Sequence, residues 1–535
     1  MGIGKTYIEI SKFPLSRQII LMVLPISFLI ISLIMRHNAG PFWLWSNLDP
    51  DYWYLFDALN IINGDWPKHI AHPGTTVQWI SAIIIKTLHP LSTAENINVK
   101  VLTSPERYLV IIGHFFVILN TIALILAGLI SYQVFRDLVP SLLIQLGPFL
   151  SKLVFKWTLH VSPEPLLVTV VIALAITTIL ALREGELEKH GNRYAIVFAT
   201  IAGFGLISKV TSAGIYLMPV VLLWNYKKIA VYCFFTLIAM MLFSLPAIGV
   251  YEVIIDRFTA ISTASGFHGE GAQTFIDFDN YPRNLVRVSS RPVFFLVFFF
   301  ALILIFLLHE QCKRNHQPFP IIGRAVGGLS LAFFAQALLV AKHPAGHYML
   351  PALTASGFGF ALIFQTMKEL LKNSDRGLIR LRYFFTLALI VITGAQINSL
   401  FKLNNQFKQR STSSAAIDET PFKNCARIYF WPASHPMYAL FMGSWNTNYS
   451  FANQLKSIYP EQKIMFYTSD GTLHGFGNKY NLKNLKNKFS CIYVRGERPD
   501  NSLEVLQNSL VTLAPKGRCQ DGDEAVFTWG IDCSK

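Results

Sequence analysis

The sequence predicts a polytopic α-helical membrane bundle of about 11 spans, followed by a small soluble α/β domain. Three observations predict this architecture. Hydrophobic residues make up 52% of the 535 residues and charged residues only 14%, whereas soluble globular proteins carry about a quarter charged residues. Apolar runs long enough to cross a hydrocarbon core of about 30 Å recur along most of the chain. Beyond about residue 401 the apolar runs become short and strand-like.

The formal net charge of +15 does not indicate a nucleic-acid-binding protein. Lys and Arg are scattered in short loops between apolar runs, which is where the topology determinants of membrane proteins lie. This pattern favours a membrane protein without a nucleic-acid partner. Residues 19–35 follow Lys5, Lys12 and Arg17 but precede no small-residue cleavage site, so they predict an uncleaved first span with a cytoplasmic N-terminus.

The predicted spans lie near residues 18–35, 107–133, 138–157, 164–182, 194–208, 211–224, 229–250, 292–309, 324–341, 347–367 and 383–400. The fifth and sixth are short and are compatible with a broken or re-entrant pair. With a cytoplasmic N-terminus, the inside loops carry clusters of Lys and Arg, and the outside loops around His160 and Lys342 carry little excess charge. The positive-inside rule therefore favours this orientation, which places the tail outside.

Three segments lie outside the predicted spans. The first outside loop, about 37–106, includes an apolar stretch at 75–88 that predicts an interfacial helix. The second, 251–291, contains a polar, Gly-containing stretch and three closely spaced arginines. The third is the tail, so residues 1–400 are predicted to form a membrane domain and residues 401–535 an extracytoplasmic domain.

The tail begins with a predicted small-residue linker at 411–416. Strand-like runs at 426–431, 463–468 and 491–495 are separated by helix-compatible stretches at 449–458 and 502–510, which predicts an α/β domain. Four cysteines in an oxidising compartment predict two disulfides, with three pairings open. A zinc site is less favoured because close CxxC pairs are absent. The four cysteines are Cys425, Cys491, Cys519 and Cys533.

Two acidic residues stand just beyond the first span. Asp49 and Asp51 flank Pro50, which disfavours helix for the residue before it and suits the first turn of a helix beginning near Asp51. The structural interpretation is a helix cap by Asp49. The functional interpretation is a carboxylate base for a reaction at the membrane surface.

Three further groups of polar residues open toward the same side in the predicted topology. Glu164 opens the fourth span near His160, Lys209 stands between two short apolar runs, and Lys342 and His347 precede the tenth span. Each has a simpler interpretation, as a helix-dipole, snorkelling or interfacial-turn residue. Their common side favours a site in which cations hold a phosphate leaving group, while a carboxylate accepts a proton from an attacking hydroxyl or amine.

Several of these elements occur together as motifs across residues 15–370. They are Asp49-Pro-Asp51, Ser162-Pro-Glu164, Ser208-Lys209 and His347-Tyr-Met-Leu-Pro351. The segments Gly64-Asp-Trp66 and His72-Pro-Gly-Thr-Thr-Val-Gln-Trp79 follow the acidic pair. In their kind and order these motifs resemble the GT-C superfamily of membrane glycosyltransferases, most closely the branch with protein O-mannosyltransferases and the lipid A aminoarabinose transferase.

The resemblance implies a polyprenyl-phosphate-linked monosaccharide donor and transfer with inversion at the anomeric carbon. It implies Asp49 as the catalytic base, Asp51 as the alternative, and Glu164 in the acceptor or metal site. The residues that it assigns to the donor phosphate are Lys209, His347, Lys342 and Arg291. The family commonly has Arg where this chain has His347, which makes phosphate binding there sensitive to pH.

The resemblance leaves a divalent metal ion open, because some relatives use one and others do not. Its ligands here would be Asp49, Glu164 and His160. The implied partners are membrane lipid, the lipid-linked sugar donor, and an envelope glycan, lipid or protein acceptor. The implied location is the bacterial inner (cytoplasmic) membrane, with the N-terminus cytoplasmic and the tail periplasmic.

Two other function classes compete with the glycosyltransferase. A transporter or flippase for lipid-linked glycans would place charged residues within the spans, which are nearly free of charge here, and would show an internal repeat. A non-catalytic envelope assembly protein would keep the topology while tolerating the loss of Asp49 and Asp51.

Overall fold

A computed structural model describes residues 14–44, 47–70, 73–266, 271–460, 463–468, 472–480, 488–496, 517–521 and 524–531. The side chains of residues 48, 49 and 517–521 fall outside this description. The described residues are mostly helical. The helices in chain order are α1 (Leu15–Asn38), α2 (Leu48–Ile62), α3 (Thr75–Leu88), α4 (Ala94–Thr103), α5 (Pro105–Phe135), α6 (Leu138–Gln145), α7 (Lys152–Thr158), α8 (Pro163–Ala181), α9 (Glu186–Ser208), α10 (Met218–Leu223), α11 (Tyr226–Phe243), α12 (Tyr251–Thr263), α13 (Tyr281–Ser289), α14 (Pro292–Arg314), α15 (Ile321–Lys342), α16 (Leu350–Leu370), α17 (Asp375–Ala415), α18 (Pro436–Asn446) and α19 (Ala452–Ile458).

Eight helical segments of the described chain are long and apolar enough to cross a membrane. They are Leu15–Asn38, Pro105–Phe135, Pro163–Ala181, Tyr226–Phe243, Pro292–Arg314, Ile321–Lys342, Gly346–Leu370 and Asp375–Phe422. The predicted multi-pass helical bundle is confirmed.

Three of the predicted spans are not long apolar helices. The stretch at 138–157 is divided into α6, a 3-10 segment at Gly147–Leu150 and α7. Pro148, in this 3-10 segment, has no amide hydrogen to donate to a helical hydrogen bond. The backbone at Gly147 also packs so closely against α16 that a Cβ there would stand 2.4 Å from the carbonyl oxygen of Thr354. The stretch at 194–208 is the end of α9, and 211–224 is a 3-10 segment, Val210–Leu217, followed by the six-residue α10. The helix therefore breaks between the predicted fifth and sixth spans, at Lys209.

The two long loops contain helices of their own. α2 begins at Leu48, earlier than the predicted start near Asp51, and keeps Pro50 in its first turn. α3 covers the predicted interfacial stretch from Thr75 to Leu88. The second loop contains α12 and α13, and its three closely spaced arginines lie on or just after α13.

The predicted linker at 411–416 is wrong, because α17 continues through it to Ala415. Its hydroxyl side chains are bonded in the helical conformation. Thr412 Oγ1 donates to the carbonyl oxygen of Lys408 at 2.8 Å, and Ser414 Oγ donates to a Glu524 carboxylate oxygen at 3.1 Å. Small hydroxyl residues are common in linkers, but here Ser414 bonds the last turn of the helix to β7.

The predicted α/β character of the tail is confirmed. A seven-stranded sheet has the order β4-β3-β2-β1-β5-β7-β6, with β2, β1 and β5 parallel and the outer neighbours antiparallel. The strands are β1 (Ala426–Phe430), β2 (Ile464–Tyr467), β3 (Leu473–Gly475), β4 (Asn478–Tyr480), β5 (Ile492–Gly496), β6 (Gly517–Asp521) and β7 (Glu524–Trp529). The predicted helix at 502–510 lies outside the described residues.

Cys425 and Cys491 form a disulfide that joins the residues just before β1 and β5. It selects one of the pairings left open by the sequence. The remaining predicted pair involves the Cys519 side chain and Cys533, which lie outside the described residues. Cys233 and Cys312 are free thiols.

The chain divides into two compact units. The first comprises residues 1–33, 70–77 and 114–401, and the second comprises residues 34–69, 78–113 and 402–535. The second unit therefore contains most of the first outside loop together with the tail. In the first unit, α9 packs against α11 so closely that a Cβ on Gly203 would stand 2.5 Å from the Cβ of Ala239.

Candidate active site

Glu164 and Lys209 form a buried ion pair in the first unit. Glu164 lies in the first turn of α8, and Lys209 is the residue that ends α9. Their side chains are 2% and 5% exposed. Each charge would be expensive to bury alone, so the pair stabilises both side chains in one arrangement. The structure thus brings together two residues that the sequence assigned to one site.

The break in the helix at Lys209 positions its side chain. The Lys209 backbone is extended (φ −163°), and its carbonyl oxygen accepts a hydrogen bond from Ser212 Oγ at 2.7 Å. A short backbone bridge joins Lys209 to Pro73, and Thr76 Oγ1 donates to Ser208 Oγ at 2.8 Å. The Pro-Gly-Thr-Thr motif therefore packs directly against the Ser-Lys motif.

A third motif contributes an aromatic ring. The Lys209 ammonium lies 4.9 Å from the centre of the Tyr348 ring, within the range of a cation–π interaction. Gln336 of α15 supports both loops, because its Nε2 donates to the carbonyl oxygens of Thr211 at 2.6 Å and Tyr348 at 2.9 Å. The three loops around Lys209 are thus held by polar contacts.

His347 lies beside the ion pair, within electrostatic range of both of its charges. Its ring centre is 4.5 Å from that of Trp157 and 4.3 Å from that of Tyr348. Trp157 in turn lies 5.2 Å from His160. The predicted residues His347 and His160 therefore share one aromatic neighbour.

Arg291 lies next to the same loop. Its Nη2 is 3.2 Å from the position that a Cβ on Gly346 would occupy, so a side chain at 346 would require the guanidinium to shift by a few tenths of an ångström. Arg291 is half-buried, its Nε has no hydrogen-bond partner among the described residues, and burial together with the charge of Arg287 lowers its pKa. A partly buried cation that forms no ion pair with a described carboxylate is suited to an anionic ligand.

Lys342 has other partners. Its ammonium donates to the Ser262 carbonyl oxygen and lies 5.0 Å from the centre of the Phe275 ring. It also lines a polar cavity of about 240 Å³ with Asp277 and Tyr281. These contacts are thus with the end of α12 and the segment that follows it, and none of them is with the Glu164–Lys209 pair.

Asp49 and Asp51 belong to the second unit, in the first turn of α2. The Asp49 side chain lies outside the described residues. Asp51 is fully buried, and its charge acts on the buried Arg36, as does that of Glu106. The surroundings of Asp51 are those of a charge that stabilises the fold around α2.

Two buried carboxylates were not singled out from the sequence. Glu106 accepts hydrogen bonds from the Phe42 and Trp43 amides, at 2.8 and 3.1 Å, and from the Tyr52 hydroxyl at 2.8 Å. It precedes the second predicted span, where an acidic residue has the ordinary interpretation of a helix-dipole partner. Its position therefore carried no signal of these contacts.

Asp57 is the second carboxylate. It is fully buried and accepts hydrogen bonds from the amides of Lys68 and His69, at 2.7 and 2.8 Å, and from the Asn60 and Gln78 side chains, both at 2.9 Å. Burial raises the pKa of Asp57 to about 7, against the opposing effect of these N–H donors. Two of its donors are backbone amides, so the sequence carried no signal of these contacts.

The residues proposed for a metal fit one poorly in this arrangement. The Glu164 carboxylate is bonded to the Lys209 ammonium, and a cation would compete with that ammonium for the same oxygens. Among the described side chains, no three His, Cys, Asp or Glu groups lie close enough together to hold a metal ion. Asp49 lies outside those side chains, so the set of Asp49, Glu164 and His160 stays a prediction.

The tail has a separate buried charge network. Arg495 donates through Nε to Glu524 at 2.5 Å, through Nη1 to Glu419 at 2.8 Å and through Nη2 to the Ser414 carbonyl oxygen at 3.1 Å. Tyr493 also donates to Glu419, at 3.1 Å. These bonds join the end of α17 to the sheet, which indicates a structural role.

Comparison with known proteins gives one structural likeness. No protein-family model matches the chain, and no curated protein matches it. Among solved structures, the chain is similar to the crystal structure of ArnT from Cupriavidus metallidurans bound to undecaprenyl phosphate, with 11% identity, 95% of this chain and 97% of that chain covered, and a TM-score of 0.44. ArnT is a GT-C lipid A aminoarabinose transferase. At this TM-score the likeness transfers no ligand and no residue role to this chain.

Proposed function

We propose that this chain is an integral membrane glycosyltransferase that moves a monosaccharide from a polyprenyl-phosphate donor to an envelope glycan, lipid or protein. One observation carries the proposal. Loops that are far apart in the sequence meet around the Lys209 ammonium: Glu164 pairs with it, Tyr348 lies over it, and Pro73 bridges its backbone. Each of these residues belongs to a motif that resembles the GT-C superfamily.

The donor phosphate is assigned to the cationic side of this site. His347 and Arg291 flank the loop that begins at Gly346, and Lys209 is held close by. Within the described part of the chain, no carboxylate is paired with Arg291, so its N–H donors can bind the phosphate dianion as it leaves. The role assigned to Glu164 is to hold the Lys209 ammonium in place and to neutralise part of its charge before the lipid binds.

The reaction proposed is a single displacement. An acceptor hydroxyl or amine attacks the anomeric carbon, the bond from that carbon to the phosphate oxygen breaks, and the electron pair leaves with the polyprenyl phosphate. A carboxylate takes the proton of the attacking group. Attack opposite to the leaving group inverts the anomeric carbon.

The role of base is assigned to Asp49. Asp51 is the weaker candidate because it is completely buried and its charge is balanced by Arg36. A general base must reach the proton that it accepts. Asp51 is proposed to position the start of α2.

The proposed location is the bacterial inner membrane. The positive-inside distribution of Lys and Arg supports a cytoplasmic N-terminus, with the site and the tail facing the periplasm. The undecaprenyl phosphate bound to ArnT belongs to the class of lipid phosphate proposed here. The proposal rests on the residues of this chain, not on that likeness.

The test separates chemistry from donor binding. The purified protein is given a panel of polyprenyl-phosphate sugars, radiolabelled in the sugar, with an envelope extract as acceptor, and transfer and lipid phosphate release are measured. Asp49→Asn is expected to abolish transfer and to retain binding of unglycosylated undecaprenyl phosphate. Lys209→Met is expected to weaken that binding. Full transfer by both Asp49→Asn and Asp51→Asn would contradict the assignment of the base.

A further inference from the structure

A groove of about 870 Å³ lies in the first unit, between the end of α10, the second half of α14 and the start of α15. Its size is that of a small-molecule or lipid-chain site. On α14 the groove is lined by one helix face within residues 302–309, where lining residues recur at three- and four-residue spacing. On α15 it is lined by Arg324, which stands between Gly323 and Gly327.

Of the two glycines of α15 that line the groove, only Gly327 leaves open space in it. A Cβ on Gly323 would stand 2.7 Å from the Phe319 ring, so that position is filled by a neighbour. A Cβ on Gly327 would meet only Val221, at 3.7 Å, so a longer side chain there has room to enter the groove. Gly327 is therefore the position at which the groove can be closed.

The wall of the groove is apolar and exposed. Phe306 is 64% exposed, Leu302 is 46% exposed, and Trp224 at the rim is 70% exposed. These residues belong to or adjoin a helix that is apolar enough to cross a membrane, so hydrocarbon is the medium that they fit. The apolar part of an occupant is thus an acyl chain.

Arg324 adds a polar requirement. Its Nε is buried without a hydrogen-bond partner, and its side chain forms no ion pair with any described residue. It lies in the first turn of α15, which contains no acidic residue and where the helix dipole already disfavours a cation. A cation placed in this way is stabilised by an anion bound in the groove.

The neighbouring charges favour the same ligand. The stretch from His309 to Arg324 contains the cations Lys313, Arg314 and Arg324 and one carboxylate, Glu310. In the predicted topology this end of α14 faces the cytoplasm. Basic pockets between membrane helices on that side suit lipid phosphates.

We propose that this groove binds an anionic phospholipid of the bilayer, with its phosphate at Arg324 and an acyl chain along α14. The site is distinct from the proposed donor site. His309 is 18 residues beyond Arg291 on one continuous helix, or about 27 Å along its axis. Lipid binding here therefore does not depend on the proposed glycosyl transfer.

Trp224 provides a local probe. The full-length protein is placed in nanodiscs with increasing fractions of brominated phosphatidylglycerol or brominated phosphatidylcholine, since bromine quenches nearby indole fluorescence. The signal from Trp224 is the difference between the native chain and Trp224→Phe. Quenching is expected to saturate at an about tenfold lower fraction of phosphatidylglycerol than of phosphatidylcholine, the effect of one charge-assisted contact.

Two variants test the contact with the lipid headgroup and the contact with the acyl chain separately. Arg324→Gln is expected to make the two lipids equal, whereas Arg380→Gln, which removes an exposed charge on α17, keeps the preference. Gly327→Leu is expected to reduce quenching by both lipids. Unfolding temperatures in phosphatidylcholine nanodiscs show whether each variant is folded. If Arg324→Gln is misfolded, Gly327→Leu tests the proposal, and unchanged quenching by both lipids in that variant would overturn it.

Three outcomes would overturn the proposal. The first is equal quenching of the native chain by both lipids, and the second is an unchanged preference in Arg324→Gln. The third is displacement of the brominated lipid by undecaprenyl phosphate at fractions where added phosphatidylglycerol has no effect, which would assign the groove to a polyprenyl lipid.

Discussion

Lys209 and Glu164 are 45 positions apart in the sequence, and they form an ion pair whose side chains are at most 5% exposed. This arrangement has two consequences that can be separated. The pair stabilises the loops around it, and it sets the charge presented to a ligand. Stability and binding measurements on the same variants distinguish them.

Removing one member of the pair is expected to destabilise the protein. Glu164→Gln or Lys209→Met leaves the other charge buried without a partner, which costs about 3 kcal/mol of unfolding free energy. The double variant Glu164→Leu/Lys209→Met is expected to lose less than the sum of the single changes. The measurement is denaturant titration in detergent micelles.

The exposed pair of Glu369 and Lys372 provides the control. Its charged atoms are 2.8 Å apart, but both side chains are about half exposed. Glu369→Gln is therefore expected to leave stability unchanged. Equal losses from Glu164→Gln and Glu369→Gln would show that burial of the first pair has no energetic consequence.

Arg291 is expected to contribute to binding of the lipid phosphate. Arg291→Gln should weaken binding of undecaprenyl phosphate about tenfold, because it removes one charge-assisted contact. Arg283→Gln removes an exposed charge from α13 and serves as the control. Binding is measured at several salt concentrations. Equal weakening by the two changes would indicate a diffuse field of positive charge instead of a contact at Arg291.

Asp57 is expected to hold the loop at Lys68 and His69. The amides of Lys68 and His69 each donate to one carboxylate oxygen of Asp57. Asp57→Asn replaces one of these oxygens by an NH2 group, so one amide faces another donor and about 2 kcal/mol of stability should be lost. Asp65→Asn changes an exposed carboxylate nearby and is the control. Hydrogen exchange of the two amides is the direct measurement. Unchanged protection in Asp57→Asn would remove this role.

The same carboxyl predicts a pH dependence. Burial raises the pKa of Asp57 to about 7, above the ordinary value of 3.8. The folded chain therefore holds a proton between these values that the unfolded chain has released, and unfolding free energy falls as pH rises through this window. The difference in stability between the native chain and Asp57→Asn should shrink from pH 5 to pH 8. A constant difference would place the pKa of Asp57 below this window.

The disulfide is expected to stabilise the tail. Cys425 and Cys491 are 66 residues apart, and a cross-link over a loop of that length contributes about 4 kcal/mol. Cys425→Ala/Cys491→Ala should increase proteolysis of the tail. Cys233→Ser/Cys312→Ser removes the two free thiols and is the control. Equal proteolysis of the native chain and the first variant would show that the bond is not needed.

The sequence predicted elements best where one physical signal dominates. Long apolar runs predicted most of the membrane helices, and the alternation of short runs predicted the core strands at 426–430, 464–467 and 492–496. The predicted span at 138–157 was wrong because hydropathy gives no information on packing, and the helix is interrupted where the backbone of Gly147 packs against that of Thr354. The predicted linker at 411–416 was wrong because Ser414 bonds to Glu524, which lies 110 positions further along the sequence.

The candidate site shows the same division. The motifs placed Glu164, Lys209 and His347 in one site, and the structure brings these three together. Lys342 was grouped with them because it is near in sequence, yet its ammonium bonds to Ser262. The donors to the two buried carboxylates include backbone amides, which nearly every residue type has, so the sequence does not indicate them. Asp57 and Glu106 could therefore be found only from the fold.

A single side-chain amide, that of Gln336, determines how far apart two of the motif loops can lie. Its Nε2 bonds the carbonyl oxygens of Thr211 and Tyr348, and a Cβ on Gly214 would stand 2.5 Å from the Gln336 backbone nitrogen. A shorter residue at 336 would leave two carbonyl groups unsatisfied in a dry interior. No substitution at 336 makes room for a side chain at 214, because the close contact there is with the backbone of residue 336. In evolution or design, residues 214 and 336 are therefore each expected to stay Gly and Gln, however freely the surrounding apolar surface varies.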